Sequence, residues 1–274
     1  MKVLVIDIDM CNGCYNCQVA CKDEHVGNDW TPIAKPQPDT GQFWMKVTDV
    51  VKGTVPKVRV RYMLDMCQHC DAAPCISSCK SQAIYKREDG IVIIDPEKCT
   101  GNRNCLDACP YNAIYFNSDL NIAQKCTMCA HLLDGTWTEP RCVDACPTGA
   151  LKFGEEEDLK ELIDKAEKLH PEFGTAPRVS YVGLLNKYFI AGEVLDPEAD
   201  ECLEGATVTL TNLESKKSSS LQTDNFGDFW FERQEPGRYS LKFEKAGYAA
   251  KTLDAIDASA DVNVGEIELH QDAK

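Results

Sequence analysis

Residues 11–21 read Cys11-Asn12-Gly13-Cys14-Tyr15-Asn16-Cys17-Gln18-Val19-Ala20-Cys21. Thiols at every third position, followed by one more after three residues, let a tight loop wrap three thiolates around one face of a compact inorganic core. The fourth ligand of such a core must then come from elsewhere in the chain. An apolar strand pattern, VLVIDI at 3–8, leads directly into the run.

Three more runs follow: Cys67-x2-Cys70-x4-Cys75-x3-Cys79, Cys99-x5-Cys105-x3-Cys109-Pro110, and Cys126-x2-Cys129-x12-Cys142-x3-Cys146-Pro147. The third is again preceded by a strand pattern, IVIIDPEK. Three runs also end alike, in CKSQAIYK from Cys79, CPYNAIYF from Cys109 and CPTGALKF from Cys146. A closing cysteine with Ala four residues on, then Ile or Leu, marks a short helix handing over to a strand, and its recurrence marks duplicated units. Residues 1–153 therefore read as tandem ferredoxin-like modules interrupted by an insert at 22–66, which carries Trp30, Phe43 and Trp44 and ends in the alternating segment PKVRVRYML. In two-cluster ferredoxins the last cysteine of each run binds the other module's cluster, tying the modules together.

The third run departs from the pattern. Aligned on C-x2-C-x2-C-x3-C, CTGNRNCLDACP has Asn102 where a thiol belongs. A carboxamide is a poor ligand for iron, so the site served by Cys99, Cys105 and the crossing Cys79 is one thiolate short. It would take a [3Fe-4S] cluster, another ligand or no cluster at all, and the expectation is three complete [4Fe-4S] clusters with a degraded fourth position.

Composition supports metal over disulfides. Of 16 cysteines in 274 residues, only Cys202 lies beyond Cys146, whereas a disulfide scaffold would staple both halves. Zinc also uses CxxC pairs, but a zinc ribbon takes two such pairs and not runs of three and four thiols. His69 and His131 fall inside cysteine runs; with thiolates already sufficient, each is expected to be a hydrogen-bond donor that tunes a cluster rather than a ligand. The formal charge of -15 disfavours nucleic acid as a partner. No segment reaches the ~20 apolar residues of a membrane span, and the opening MKVLVIDIDM is a strand pattern, not a signal peptide. The expected location is cytoplasmic, and export beside a signal-bearing partner is compatible with this sequence.

Beyond Phe153, Leu159, Leu162, Ile163, Ala166 and Leu169 share one helical face, with acids at the start and Pro171 at the end, so 154–186 reads as a connecting helix followed by an extended linker, PRVSYVG. From 187 to 274 the pattern has period two: Ala206, Val208 and Leu210 alternate with threonines, and Tyr239, Leu241 and Phe243 alternate with polar residues. Turn signals at Asp196-Pro197, Asn225-Phe226-Gly227, Pro236-Gly237 and Gly247 space these strands as in a small β-sandwich. The fold class expected is α+β: tandem cluster-binding modules, then an all-β sandwich.

The four runs in this order, with the long insert after Cys21 and the twelve-residue gap before Cys142, resemble the iron–sulfur subunit of the dimethyl sulfoxide reductase-type molybdopterin oxidoreductases, over residues 1 to about 182. The resemblance implies that the first run pairs with the fourth and the second with the third. One cluster would then take Cys11, Cys14, Cys17 and Cys146, a second Cys21, Cys126, Cys129 and Cys142, and a third Cys67, Cys70, Cys75 and Cys109. It also implies a heterodimer with a large catalytic subunit that carries the molybdopterin, with molybdenum or tungsten, leaving this chain an electron-transfer role and no catalytic centre. The segments GATV, TDNFGDFWF and PGRY before a Gly-Tyr resemble a carboxypeptidase regulatory-like domain, a seven-stranded transthyretin-like sandwich. A freestanding polyferredoxin is the competing interpretation; the insert and the sandwich favour the subunit, because a diffusing carrier needs neither. A zinc-stabilised interaction protein is a third, and it predicts a colourless sample.

Overall fold

In the computed structural model, which describes residues 1–272, the chain divides into two compact units. One comprises residues 1–50 and 61–184; the other comprises residues 51–60 and the chain from Leu185 onward.

The elements of the first unit are β1 (Lys2–Asp7), α1 (Asn16–Val26), the base of a hairpin formed by β2 (Met45–Thr54) and β3 (Lys57–Met66), then α2 (Pro74–Ser78), β4 (Ile84–Lys86), β5 (Val92–Ile94) and α3 (Asn104–Ala108). They continue with β6 (Tyr115–Asn117), β7 (Ile122–Gln124), α4 (Ala130–Leu133), α5 (Arg141–Asp144), β8 (Leu151–Glu155), α6 (Lys160–Ile163) and β9 (Val179–Val182). β1 is the middle strand of a three-stranded sheet, antiparallel to β8 with Ile6 opposite Leu151, and parallel to β9 with Leu4 opposite Val179. Val3, Leu4, Val5 and Ile6 are all buried, as expected of a strand covered on both faces, where a continuous apolar run replaces alternation. α1 packs on α5 and α2 on α3, so the first run meets the fourth and the second meets the third.

The repeated tail of the runs has a common backbone cause. Three residues after each closing cysteine, Gln82, Asn112 and Gly149 adopt left-handed φ values of 54, 51 and 66°. Each returns its N–H to the carbonyl of that cysteine, at 3.1, 3.1 and 3.3 Å. The next residue, Ala83, Ala113 or Ala150, is buried against the strand that follows.

Two expectations for the segment after Phe153 do not hold. The face from Leu159 to Leu169 forms helix only over Lys160–Ile163, because Glu167 leaves the helix to exchange both backbone hydrogen bonds with Tyr181, at 2.7 and 2.8 Å. The stretch read as an extended linker is β9, with Val179, Ser180 and Tyr181 buried in the sheet of the first unit. The Tyr181 hydroxyl is satisfied internally, donating to the Leu64 carbonyl at 3.1 Å and accepting from Gln68 Nε2 at 2.9 Å.

The second unit holds β10 (Tyr188–Asp196), β11 (Glu201–Cys202), β12 (Thr207–Asn212), β13 (Ser218–Gln222), β14 (Asp228–Gln234), β15 (Arg238–Glu244), β16 (Lys251–Asp257) and β17 (Val262–Glu268). β10 pairs with β11, β14 and β17 in one sheet, and the other sheet runs β13-β12-β15-β16. Two four-stranded sheets make eight strands where seven were expected; the additional one is the two-residue β11. Val208, Leu210, Leu241 and Phe243 from one sheet meet Ile190, Val194, Phe229 and Phe231 from the other in a single core, with Phe229 and Phe243 edge to face at 5.5 Å between ring centres. The hairpin tip joins this unit: Arg59 lies over the Trp230 ring at 4.0 Å and Lys57 pairs with Asp228.

Candidate functional site

The thiols of the first unit gather in fours. Cys21, Cys126, Cys129 and Cys142 line one pocket, shared with Leu4, His25, Met45, Met66 and Met128. Cys67, Cys70, Cys75 and Cys109 line a second, together with His69, Val92 and Ile114. In each set three thiols come from one run or its neighbourhood and the fourth crosses from the paired run, α1 with α5 in one case and α2 with α3 in the other. The third set lies nearer the surface. Cys17 is buried among Cys11, Cys146 and Cys14, of which Cys14 is exposed.

Burial sets the electrostatics of all three. It pushes the Cys17 thiol up to about 12, aided by the charges of Cys11 and Cys146, and Cys75 to about 12, with Cys67, Cys109 and Cys70 adding to the rise against the opposing charge of Lys125. Burial likewise lifts Cys129 to about 12 and Cys126 to about 11, and drives Cys21 and Cys142 well above the ordinary thiol range. Desolvated thiols whose thiolates would repel one another ionise only around a positive core, so the metal must enter as the protons leave. Soft sulfur donors in fours around a shared space fit a cubane iron–sulfur cluster; His25 and His69, each at the rim of one set, bring neutral nitrogen to the same wall.

Two closing cysteines behave differently, whereas at Cys109 burial outweighs the N–H groups of Ala113 and Tyr111 and the thiol stays raised. Burial raises the Cys146 thiol, but the N–H groups of Leu151, Ala150 and Thr148 and the Thr148 hydroxyl outweigh it and hold the group below its usual range. At Cys79 the Ser81 hydroxyl and the N–H groups of Ile84, Ala83 and Ser81 do the same. The repeated turn thus points N–H donors at the closing sulfur, enough to outweigh burial at Cys146 and Cys79.

The fourth position keeps the loop of a cluster site without its last thiol. Cys105 is pushed up to about 11, mainly by burial and then by Cys99 and Cys79, so these three are neighbours. Gly101 and Arg103 have φ of 73 and 62°, matching Gly13 and Tyr15 at 69 and 61°. Asn102 stands exposed where Cys14 stands in the first run, and its Oδ1 accepts the Asn104 N–H at 3.2 Å. Cys99 Sγ accepts the Ala123 N–H at 3.4 Å.

The histidines are distributed otherwise than their positions in the runs imply. His131 Nε2 faces Glu24 Oε1 at 3.0 Å, its ring stacks on Trp30 at 4.4 Å between centres, and its Nδ1 has no hydrogen-bond partner, sulfur included, among the described residues. The imidazole beside a thiol is instead His25, whose Nε2 lies 3.9 Å from Cys129 Sγ, with Trp44 against its ring at 4.7 Å. Burial, then the charge of His131, lowers His25 to about 3, so the ring is neutral. His25 escapes a reading confined to cysteine runs, but it lies four residues after Cys21 on α1, on the same helical face.

Known proteins carry the same two-part plan. Residues 58–156 match the 4Fe-4S dicluster domain model, and residues 190–270 match the carboxypeptidase regulatory-like domain model. The small subunit of pyrogallol hydroxytransferase from Pelobacter acidigallici is 38% identical over 97% of this chain and 98% of its own length. The chain belongs to that small-subunit family. A tetrathionate reductase subunit from Salmonella typhimurium is 34% identical over 66% of this chain and 72% of its own, and the iron–sulfur subunit of Shewanella arsenate respiratory reductase is 30% identical over 65% and 94%. The small-subunit family therefore sits among the iron–sulfur electron-transfer subunits of the molybdenum oxidoreductases, and the thiol sets described above belong to that part of the chain. Among the described residues no helix is long and apolar enough to cross a membrane.

Proposed function

We propose that this chain is the electron-transfer subunit of a molybdopterin-dependent pyrogallol hydroxytransferase, bound as a heterodimer to a large subunit that holds the molybdopterin and performs the chemistry. Three [4Fe-4S] clusters would be held by Cys11, Cys14, Cys17 and Cys146, by Cys21, Cys126, Cys129 and Cys142, and by Cys67, Cys70, Cys75 and Cys109. Each bound cluster supplies a one-electron relay. The chain's own part is to exclude water from the two inner sets, cradle the outer thiolates Cys146 and Cys79 with N–H donors, and fix the spacing between sets through the crossed ligation of paired runs.

The single observation carrying this proposal is the 38% identity running nearly end to end, through both the cysteine runs and the sandwich, with the pyrogallol hydroxytransferase small subunit. Moving a hydroxyl group between trihydroxybenzenes has no net electron balance, so electrons passing through this subunit would set or restore the oxidation state of the large subunit's metal. The sandwich, residues 187–274, would be a docking or structural module and the modules of 1–153 the wire, with the chain to Leu184 completing the first unit through β9. We place the protein in the cytoplasm.

Anaerobic purification of the native protein tests the assignment. The subunit interpretation expects co-elution with a molybdopterin protein and loss of pyrogallol conversion when the two are separated. Elution of this chain as a brown, partner-free monomer would favour a freestanding polyferredoxin instead.

A further inference from the structure

His69 occupies a position that the ligand sets do not explain. It lies between Cys67 and Cys70 and is buried at 1% exposure, with a left-handed φ of 46°, a conformation that non-glycine residues seldom adopt. The Val92 N–H donates to His69 Nδ1 at 3.1 Å. Nδ1 is therefore an acceptor, and a neutral imidazole so bonded carries its one proton on Nε2. The ring is neutral because Nδ1, accepting the Val92 N–H, carries no proton of its own. Nε2 is buried and has no hydrogen-bond partner among the described residues. A buried donor without an acceptor is costly, and native folds rarely leave one. The same ring lines the space enclosed by Cys67, Cys70, Cys75 and Cys109.

A second buried group is anchored to the same residue, Val92. Lys125, 2% exposed, extends Nζ to the Val92 carbonyl and to the Cys126 carbonyl at 2.9 Å. Val92 thus receives the ammonium at its carbonyl and offers its N–H to the imidazole through two different peptide groups, so the strand holds a buried cation close to the ring. A charge buried there is little screened by water.

We propose that His69 donates a hydrogen bond from Nε2 to the sulfur shell of the cluster held by Cys67, Cys70, Cys75 and Cys109, and that the buried Lys125 charge acts in the same direction through space, raising that cluster's reduction potential. The inference rests on the cluster assignment proposed above. Reduction adds negative charge to the sulfurs, so a fixed donor and a buried cation favour the reduced state. His69 is a positioning and tuning residue, not a ligand.

The test uses the full chain, or its complex, loaded with clusters and checked first for iron and sulfide. In redox titrations followed by electron paramagnetic resonance, His69→Leu is expected to shift one cluster at least about tenfold toward the oxidised form, about 59 mV for one electron. Lys125→Met should move the same cluster in the same direction, and His69→Gln, which keeps a donor, should recover part of the shift. Protein carrying ¹⁵N-histidine provides a readout that needs no change at His69: a nitrogen hyperfine coupling on a reduced cluster that persists in His25→Leu supports the proposal. Iron-replete protein with no such coupling, or a His69→Leu protein with full iron and unchanged potentials, overturns it. Protein that binds no iron or sulfide overturns the cluster assignment itself, a distinct result.

Discussion

Replacing Asn102 by cysteine is expected to build a fourth cluster site in one step. The backbone is already in place: Gly101 at φ 73° and Arg103 at φ 62°, ψ -5° reproduce Gly13 at φ 69° and Tyr15 at φ 61°, ψ 3°, and helices start at Asn104 and Asn16 alike. Arg103 is held over the Phe116 ring at 3.8 Å, so the loop does not need the Asn102 side chain to keep its shape. The substitution removes one exposed hydrogen bond, from the Asn104 N–H at 3.2 Å, a loss of roughly 0.5–1 kcal/mol. In return it sets a fourth thiol beside Cys79, Cys99 and Cys105, of which Cys79 already lies below the ordinary thiol range through its ring of donors. With four irons per cluster, iron should rise from about 12 to about 16 per chain, and sulfide with it. Anaerobic reconstitution followed by iron and sulfide analysis reads this directly, with Asn102→Ser as the control expected to stay at about 12. A folded N102C protein with iron unchanged would refute the argument that only the missing thiolate empties this position of a four-iron cluster.

Cys14→Ser should lower iron by about four per chain and destabilise the first unit, since cluster binding and folding are coupled; iron analysis with thermal melting checks both. Phe243→Ala removes a fully buried ring that Phe229 packs against, and should cost about 3–5 kcal/mol in denaturant unfolding of the sandwich while leaving the iron content unchanged. Asp196 accepts hydrogen bonds from Gln271 Nε2 and the Tyr248 hydroxyl, each at 2.9 Å, and from the N–H groups of Ala199 and Glu198, which hold its carboxyl well below the usual range. Its folded pKa is depressed, so its contribution is complete above the unfolded value of about 3.9 and declines as pH falls below it. Hydrogen exchange in β10 should therefore show wild type better protected than Asp196→Asn near pH 6, with the gap closing toward pH 3; a gap that widened on acidification would contradict the bonding described.

Much of this molecule is written in residues with narrow chemical use. Thiols at fixed spacing, an apolar run in β1 and the alternation of Val208 with Thr209 or Leu241 with Lys242 each point to a single local structure, and these are where expectation and structure agree. The Asn102 position is equally plain, because a carboxamide interrupts a repeat of thiols. The segment after Phe153 misleads for a physical reason. Leu159, Leu162 and Ile163 satisfy a helical period, but the pairing of Glu167 with Tyr181 is made between residues distant in sequence and outcompetes the last turns of helix. β9, only four residues long, is too short to show a period at all. His25 and Lys125 carry no signal in the sequence because their roles depend on which sulfurs and carbonyls the fold brings to them, Cys129 for one and Val92 for the other. His131, placed inside a run, turns to Glu24 instead of sulfur.

Electron transfer through this chain depends on thiolates of the first unit enclosing iron and inorganic sulfide. Metal and acid-labile sulfide analysis of anaerobically prepared protein measures that without intermediaries: about 12 irons and about as many sulfides per chain are predicted, with no zinc. Stoichiometric zinc, or iron without sulfide, would contradict it.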